Sequence, residues 1–155
     1  MHEEFMRRAI ALSREKMRAD EGGPFAAVIV RAGDVVAEGW NQVTGHNDPT
    51  AHAEIVAIRE ACRALGTFSL EGCEIYTSCE PCPMCLAAIH WAHIDRVYFA
   101  NTAEDAAAIG FDDARLYREL ALPHGERTLP MARLLADEAL AVFHEWASDP
   151  DRVPY

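Results

Sequence analysis

Three of the chain's five cysteines, Cys79, Cys82 and Cys85, stand at intervals of three in the run SCEPCPMC. Clustered thiols in a chain with an odd cysteine count point to metal binding or catalysis in a reducing compartment, not to a disulfide framework. A Cys-x2-Cys turn lets two sulfurs reach one ion, and zinc takes thiolate and imidazole readily. The spacing alone leaves three assignments open. Cys79, Cys82 and Cys85 with His90 or His93 would make a closed structural zinc site. The run also begins a ferredoxin-type cluster pattern, although no cysteine follows Cys85. Cys82 and Cys85 with His52 would leave the fourth tetrahedral position for water, as in catalytic zinc sites.

Glu54 lies two residues beyond His52, about 200° around an ideal helix, so the two do not read as side-by-side ligands. A carboxylate beside zinc-bound water can instead take its proton and hand it to a leaving group. Zinc favours this chemistry by lowering the pKa of its water from ~15.7 towards ~7. TAHAEIVAIREA (50–61) followed by YTSCEPCPMCLAAIHWA (76–92) resembles the zinc-dependent nucleoside and nucleobase deaminases. The resemblance runs over nearly the whole chain. It implies a three-layer α/β/α cytidine-deaminase-like fold in one domain, 1–155. It also implies one zinc ion per subunit, held by His52, Cys82 and Cys85, with Glu54 as the proton shuttle. Cys79 is then expected to carry no metal, and Cys62 and Cys73 to be plain buried thiols.

Within that superfamily three further stretches, GGPFAAVIV, IHWAHIDRV and AAIGFDDARLYRE, are most similar to the short bacterial guanine deaminases. The terminal Tyr155 fits the same group. Members acting on free cytidine carry cysteine where this chain has His52. The tRNA adenosine deaminases share the NDPTAHAE-like run but must hold a polyanion, a poor match for a net charge of -11. The resemblance thus implies hydrolysis of a free purine base, guanine to xanthine plus ammonia. It further implies a homodimer with exchanged C-terminal segments, in which Tyr155 closes the partner's site, and places Asp113 near the leaving amine.

A purine wants aromatic walls and a few fixed polar groups. Phe25 and Trp91 are candidate walls, and the Asn41 amide can donate to and accept from a purine edge. Ala53, between His52 and Glu54, completes the candidate substrate contacts with Asp113 and Tyr155. A tRNA adenosine or pyrimidine-base deaminase is the alternative, and a non-catalytic zinc module is the alternative from another class.

The elements that must position these residues follow from pattern. Helix 2–20 is loosely amphipathic, and 25–40 is a hairpin turning at 32–34. Thr50 caps a helix running to Leu65, where Gly66 stops it. Strand 73–77 enters the cysteine turn, and Pro83 suits the first turn of the next helix. Strand 96–100, helices 103–109 and 114–120, a strand at 129–135 and a helix at 137–147 complete an α/β chain. About five strands are expected in a mixed sheet with helices on both faces. At 155 residues and 50% hydrophobic, the chain suits one domain. No targeting segment or membrane span is evident, so a cytoplasmic protein without membrane or nucleic-acid partners is expected.

Overall fold

The computed structural model describes residues 1–155. They form two compact units, Met1–Leu116 and Tyr117–Tyr155.

The first unit is built on β1 (Ala26–Arg31), a strand buried on both faces. Ala27 and Ile29 point into one core with Ala57, Ala61 and Ile75, while Val28 and Val30 point into another with Ala9 and Tyr76. That alternation is the period-2 pattern of a pleated strand, here apolar on both sides because both sides are covered. Helix α1 (His2–Arg18) covers one face. Helices α3 (Ala53–Leu65) and α4 (Pro83–Trp91) pack on the other core, which takes in Ala53, Ala57 and Ile89. The result is the expected three layers.

Strand β2 (Asp34–Trp40) pairs antiparallel with β1 in the expected hairpin. Ala32 and Gly33 both have positive φ, 52° and 90°, at the two-residue turn, the combination that matches strand twist in a tight hairpin. β1 pairs antiparallel with β3 (Cys73–Cys79), and β3 pairs parallel with β4 (Arg96–Asn101). The sheet order is β2-β1-β3-β4. Between β2 and α3 lies a single helical turn, α2 (Val43–His46). After β4 come α5 (Ala103–Ala108) and the start of α6 (Asp113–Ala121).

Two expectations are corrected. The sheet has four strands, because 129–135 does not form the fifth. Thr128 and Leu129 donate their backbone N–H groups to the Glu119 carboxylate, Pro130 has none to give, and Leu135 adopts a left-handed φ of 50°. Thr50 also does not cap α3. Its N–H and hydroxyl both bond Asp48, and His52 occupies the cap position instead.

In the second unit the rest of α6, a 3-10 turn (His124–Glu126) and α7 (Ala136–Ser148) are joined locally. Arg127 donates to the carbonyls of Leu120 and Leu122. Four apolar side chains of α7, Leu140, Val142, Phe143 and Trp146, are exposed.

Candidate active site

Two helix N-termini carry the chemistry. His52 is the cap residue of α3 and Cys82 that of α4, both with extended backbone. Their side chains turn towards each other across the two helix starts. Pro83 occupies the first turn of α4, where a missing N–H costs nothing. Cys85 follows one position short of a full turn from Cys82, so both sulfurs lie at the helix start.

His52 Nδ1 lies 3.6 Å from Cys82 Sγ and 3.5 Å from Cys85 Sγ. A tetrahedral zinc with bonds of ~2.3 Å to sulfur and ~2.0–2.1 Å to nitrogen requires N···S separations of about 3.6 Å. The three donors thus fit zinc in both type and spacing, and their ligand atoms all lie within 4.8 Å of one another. Cys79 stands apart from that group, its thiol donating to the Thr102 carbonyl at 3.7 Å. Burial pushes the Cys79 thiol up to about 11, which keeps it protonated. Cys82 is held down to about 4, first by the hydrogen bond from Cys85 and then by His52 against the opposing effect of burial. Cys85 is driven up by the same bond and by burial. The His52 imidazole is raised, chiefly by its bond to Cys82.

Glu54 is buried in the first turn of α3. The Thr77 hydroxyl on β3 reaches its Oε1 at 3.4 Å and the Cys79 carbonyl at 2.8 Å. Burial raises the Glu54 carboxyl above its ordinary range, so it takes up a proton more readily than a solvated carboxylate does. Asp113 is raised too, by burial first and the Cys82 charge second.

A cavity of 280 Å³ opens on this cluster, lined by Phe25, Asn41, His52, Ala53, Glu54 and Asp113 among others. Phe25 meets Phe111 edge-to-face, with ring centroids 4.9 Å apart at 87°. Phe111 also lines the cavity, as do Thr44 and Glu80. The sequence reading missed Phe111 as a wall, although it lies two residues before Asp113, just after Gly110 with its φ of 100°. An aromatic set between a glycine and a candidate carboxylate was the signal available. Asn41 is buried, and its Oδ1 accepts from the N–H groups of Gly23 and Val43. Its amide oxygen thus holds the turn, leaving the NH2 as the group to offer a ligand.

One candidate contact is not brought to this cavity. Trp91 is exposed at the far end of α4, about 9 Å of helix beyond Cys85. Tyr155 is exposed in the second unit.

The family model for the cytidine and deoxycytidylate deaminase zinc-binding region matches residues 1–101, which contain both α3 and α4. The chain belongs to this deaminase family. Among its relatives, a guanine deaminase of Bacillus subtilis is 49% identical over 154 residues, covering 99% of each chain. A tRNA-specific adenosine deaminase of Aquifex aeolicus is 48% identical over 89 residues, only 56% of this chain and 59% of that one. Among solved structures, the X-ray structure of the Bacillus subtilis guanine deaminase superposes with a TM-score of 0.97, covering 100% of this chain and 99% of that one. A guanine deaminase of Nitrosomonas europaea gives a TM-score of 0.68 at 34% identity, covering 91% of this chain and 81% of that one. The zinc-binding character of the deaminase family accords with the donor set seen here.

Proposed function

We propose that this deaminase hydrolyses guanine to xanthine and ammonia. The observation that carries the reading is the reach of the likeness to a guanine deaminase. It spans 99% of the chain, whereas the adenosine deaminase of Aquifex aeolicus matches 56%. The cavity fits a small flat base, and its ionisable lining outside His52 and the cysteines is acidic: Glu54, Glu80 and Asp113. A phosphorylated polymer finds no cationic partner among those residues.

His52, Cys82 and Cys85 would hold the zinc ion, whose Lewis acidity, when it is bound, makes water nucleophilic near neutral pH. Glu54 takes a proton from the attacking water and returns it to the ring nitrogen beside the amine-bearing carbon. One C–O bond forms, one C–N bond breaks, and Asp113 assists the proton that leaves with ammonia. Phe25 bounds the ring edge-on to Phe111, the Asn41 NH2 donates to an acceptor on the base, and Ala53 keeps the floor small. The five cysteines are free, which suits a reducing cytoplasm. No helix is long and apolar enough to cross a membrane.

The same reading takes 1–155 as one functional domain working as a homodimer with exchanged C-terminal segments. The exposed apolar side chains of α7 support it, since such a face calls for a partner. In that arrangement Tyr155 would act at a neighbouring subunit's cavity. A monomeric mass in solution would exclude it.

Ammonia release from guanine, adenine, cytosine, cytidine and ammeline tests the substrate. Inert guanine beside reactive cytosine, or a reactive tRNA stem-loop, would overturn it. Zinc content of His52→Ala and Cys79→Ala separates the open site from a closed structural knob. The open site loses zinc in the first and keeps it in the second.

A further inference from the structure

Glu80 sits inside the metal-binding turn and belongs to neither the ligand set nor the proton path. Its backbone N–H donates to the Asn101 carbonyl at 2.8 Å, and its Oε2 accepts from the Ala103 N–H at 2.9 Å. The neighbouring Cys79 thiol reaches the Thr102 carbonyl at 3.7 Å. Three bonds thus run from residues 79–80 to residues 101–103, where β4 ends and α5 begins.

Helix α5 is short, and Ala106 is its one buried residue. Six residues do not hold a helix in water by propensity, and one alanine provides little apolar anchorage. Polar attachment must do what packing does not. Thr102 and Asp105 form a reciprocal capping box that occupies the N–H groups of both. The Ala103 N–H lies outside that box, and Glu80 supplies its acceptor. At its other end α5 carries the reacting wall. The Phe111 N–H bonds the Ala106 carbonyl at 3.0 Å, and the Asp113 N–H bonds the Phe111 carbonyl at 3.2 Å.

We propose that Glu80 is a positioning residue, tying the Phe111–Asp113 wall to the turn that carries Cys82 and Cys85. The side chain acts through α5, so that the base-facing ring and the carboxylate keep a fixed distance from the metal ligands. It rests on the deaminase reading for its effect on turnover, but not for its effect on the wall.

The test compares Glu80→Ala with Glu80→Gln, whose amide oxygen still accepts from Ala103. Amide hydrogen exchange needs no substrate and therefore judges the tie even if guanine proves inert in wild type, an outcome that would sink only the function reading. In Glu80→Ala, exchange at Ala103, Phe111 and Asp113 should rise about 2- to 30-fold, the range for losing a helix cap, with α3 amides unchanged. Zinc content should hold. Turnover of guanine should fall by up to about 100-fold, the usual result of a 1 Å misplacement. Glu80→Gln should stay within about fivefold of wild type on both readouts, having lost only charge at a helix start. Unchanged exchange at Phe111 in Glu80→Ala, zinc loss in that variant, or a Gln variant as damaged as the Ala variant would each overturn the proposal.

Discussion

Gly39 on β2 is where the sheet touches α3, and a single methyl group there should disturb the whole site. A Cβ at Gly39 would stand 2.3 Å from the Ala53 carbonyl oxygen, 2.4 Å from the Ala57 nitrogen and 3.0 Å from the Ala57 Cα. All three atoms are backbone, so no side chain can swing away. Restoring ordinary contact needs the first turn of α3 to retreat by about 1 Å, in a core packed like an organic crystal. That turn carries Glu54 and follows His52, whose Nδ1 must keep its 3.5–3.6 Å spacing to the two sulfurs. Overpacking of this kind costs about 1–3 kcal/mol. At roughly 2–4 °C per kcal/mol for a chain of this size, Gly39→Ala should melt about 2–12 °C lower. A shift of 1 Å at the reacting groups should lower turnover about 100-fold. Thermal melts, zinc content and guanine turnover on one preparation check this. A Gly39→Ala protein with the wild-type melting temperature would refute the steric argument. One that melts lower yet turns over normally would refute the link from β2 to the site.

Glu54→Gln should keep the fold and zinc while kcat falls about 10²–10⁴-fold, as for loss of a general acid–base; near-normal turnover would remove the shuttle role. Phe111→Ala should raise KM for guanine about 5- to 150-fold, since stacking a base on an aromatic ring contributes ~1–3 kcal/mol. An unchanged KM would exclude Phe111 as a wall. Tyr76 is buried and its hydroxyl donates to Glu74 at 2.7 Å, and burial, with that bond second, raises its pKa above the ordinary value. An acid raised in the fold stabilises below its unfolded pKa, and that contribution fades as pH climbs through the folded value. Wild type should therefore lose stability above pH about 10 more steeply than Tyr76→Phe, which should be weaker by about 0.5–1.5 kcal/mol at neutral pH. Parallel melting curves from pH 8 to 11 would contradict it.

The donor set His52, Cys82 and Cys85 was readable in one dimension because ligand type and local spacing are sequence properties. Thiolates three residues apart at a proline-started helix can meet one ion wherever that helix sits. The same holds for the hairpin, whose turn chemistry and alternation are local, and for β1, whose unbroken apolar run announced burial on both faces. The strand expected at 129–135 failed because apolar content there outweighed a competing local fact. The Glu119 carboxylate captures the N–H groups a strand would have offered, across a separation of nine and ten residues that no periodicity reveals.

What composition and spacing could not supply were the distances between elements far apart in the chain. His52 lies within reach of Cys82 because two helix starts converge at the same end of the sheet, a consequence of strand order β2-β1-β3-β4. The tertiary structure likewise sets Phe111 against Phe25, commits the Asn41 oxygen to Gly23 and Val43, and leaves Trp91 at the opposite end of α4. Residue types declare which bonds a chain is able to make. Which of them form depends on where packing of the two cores sets the helix ends, and that is a property of the folded chain as a whole.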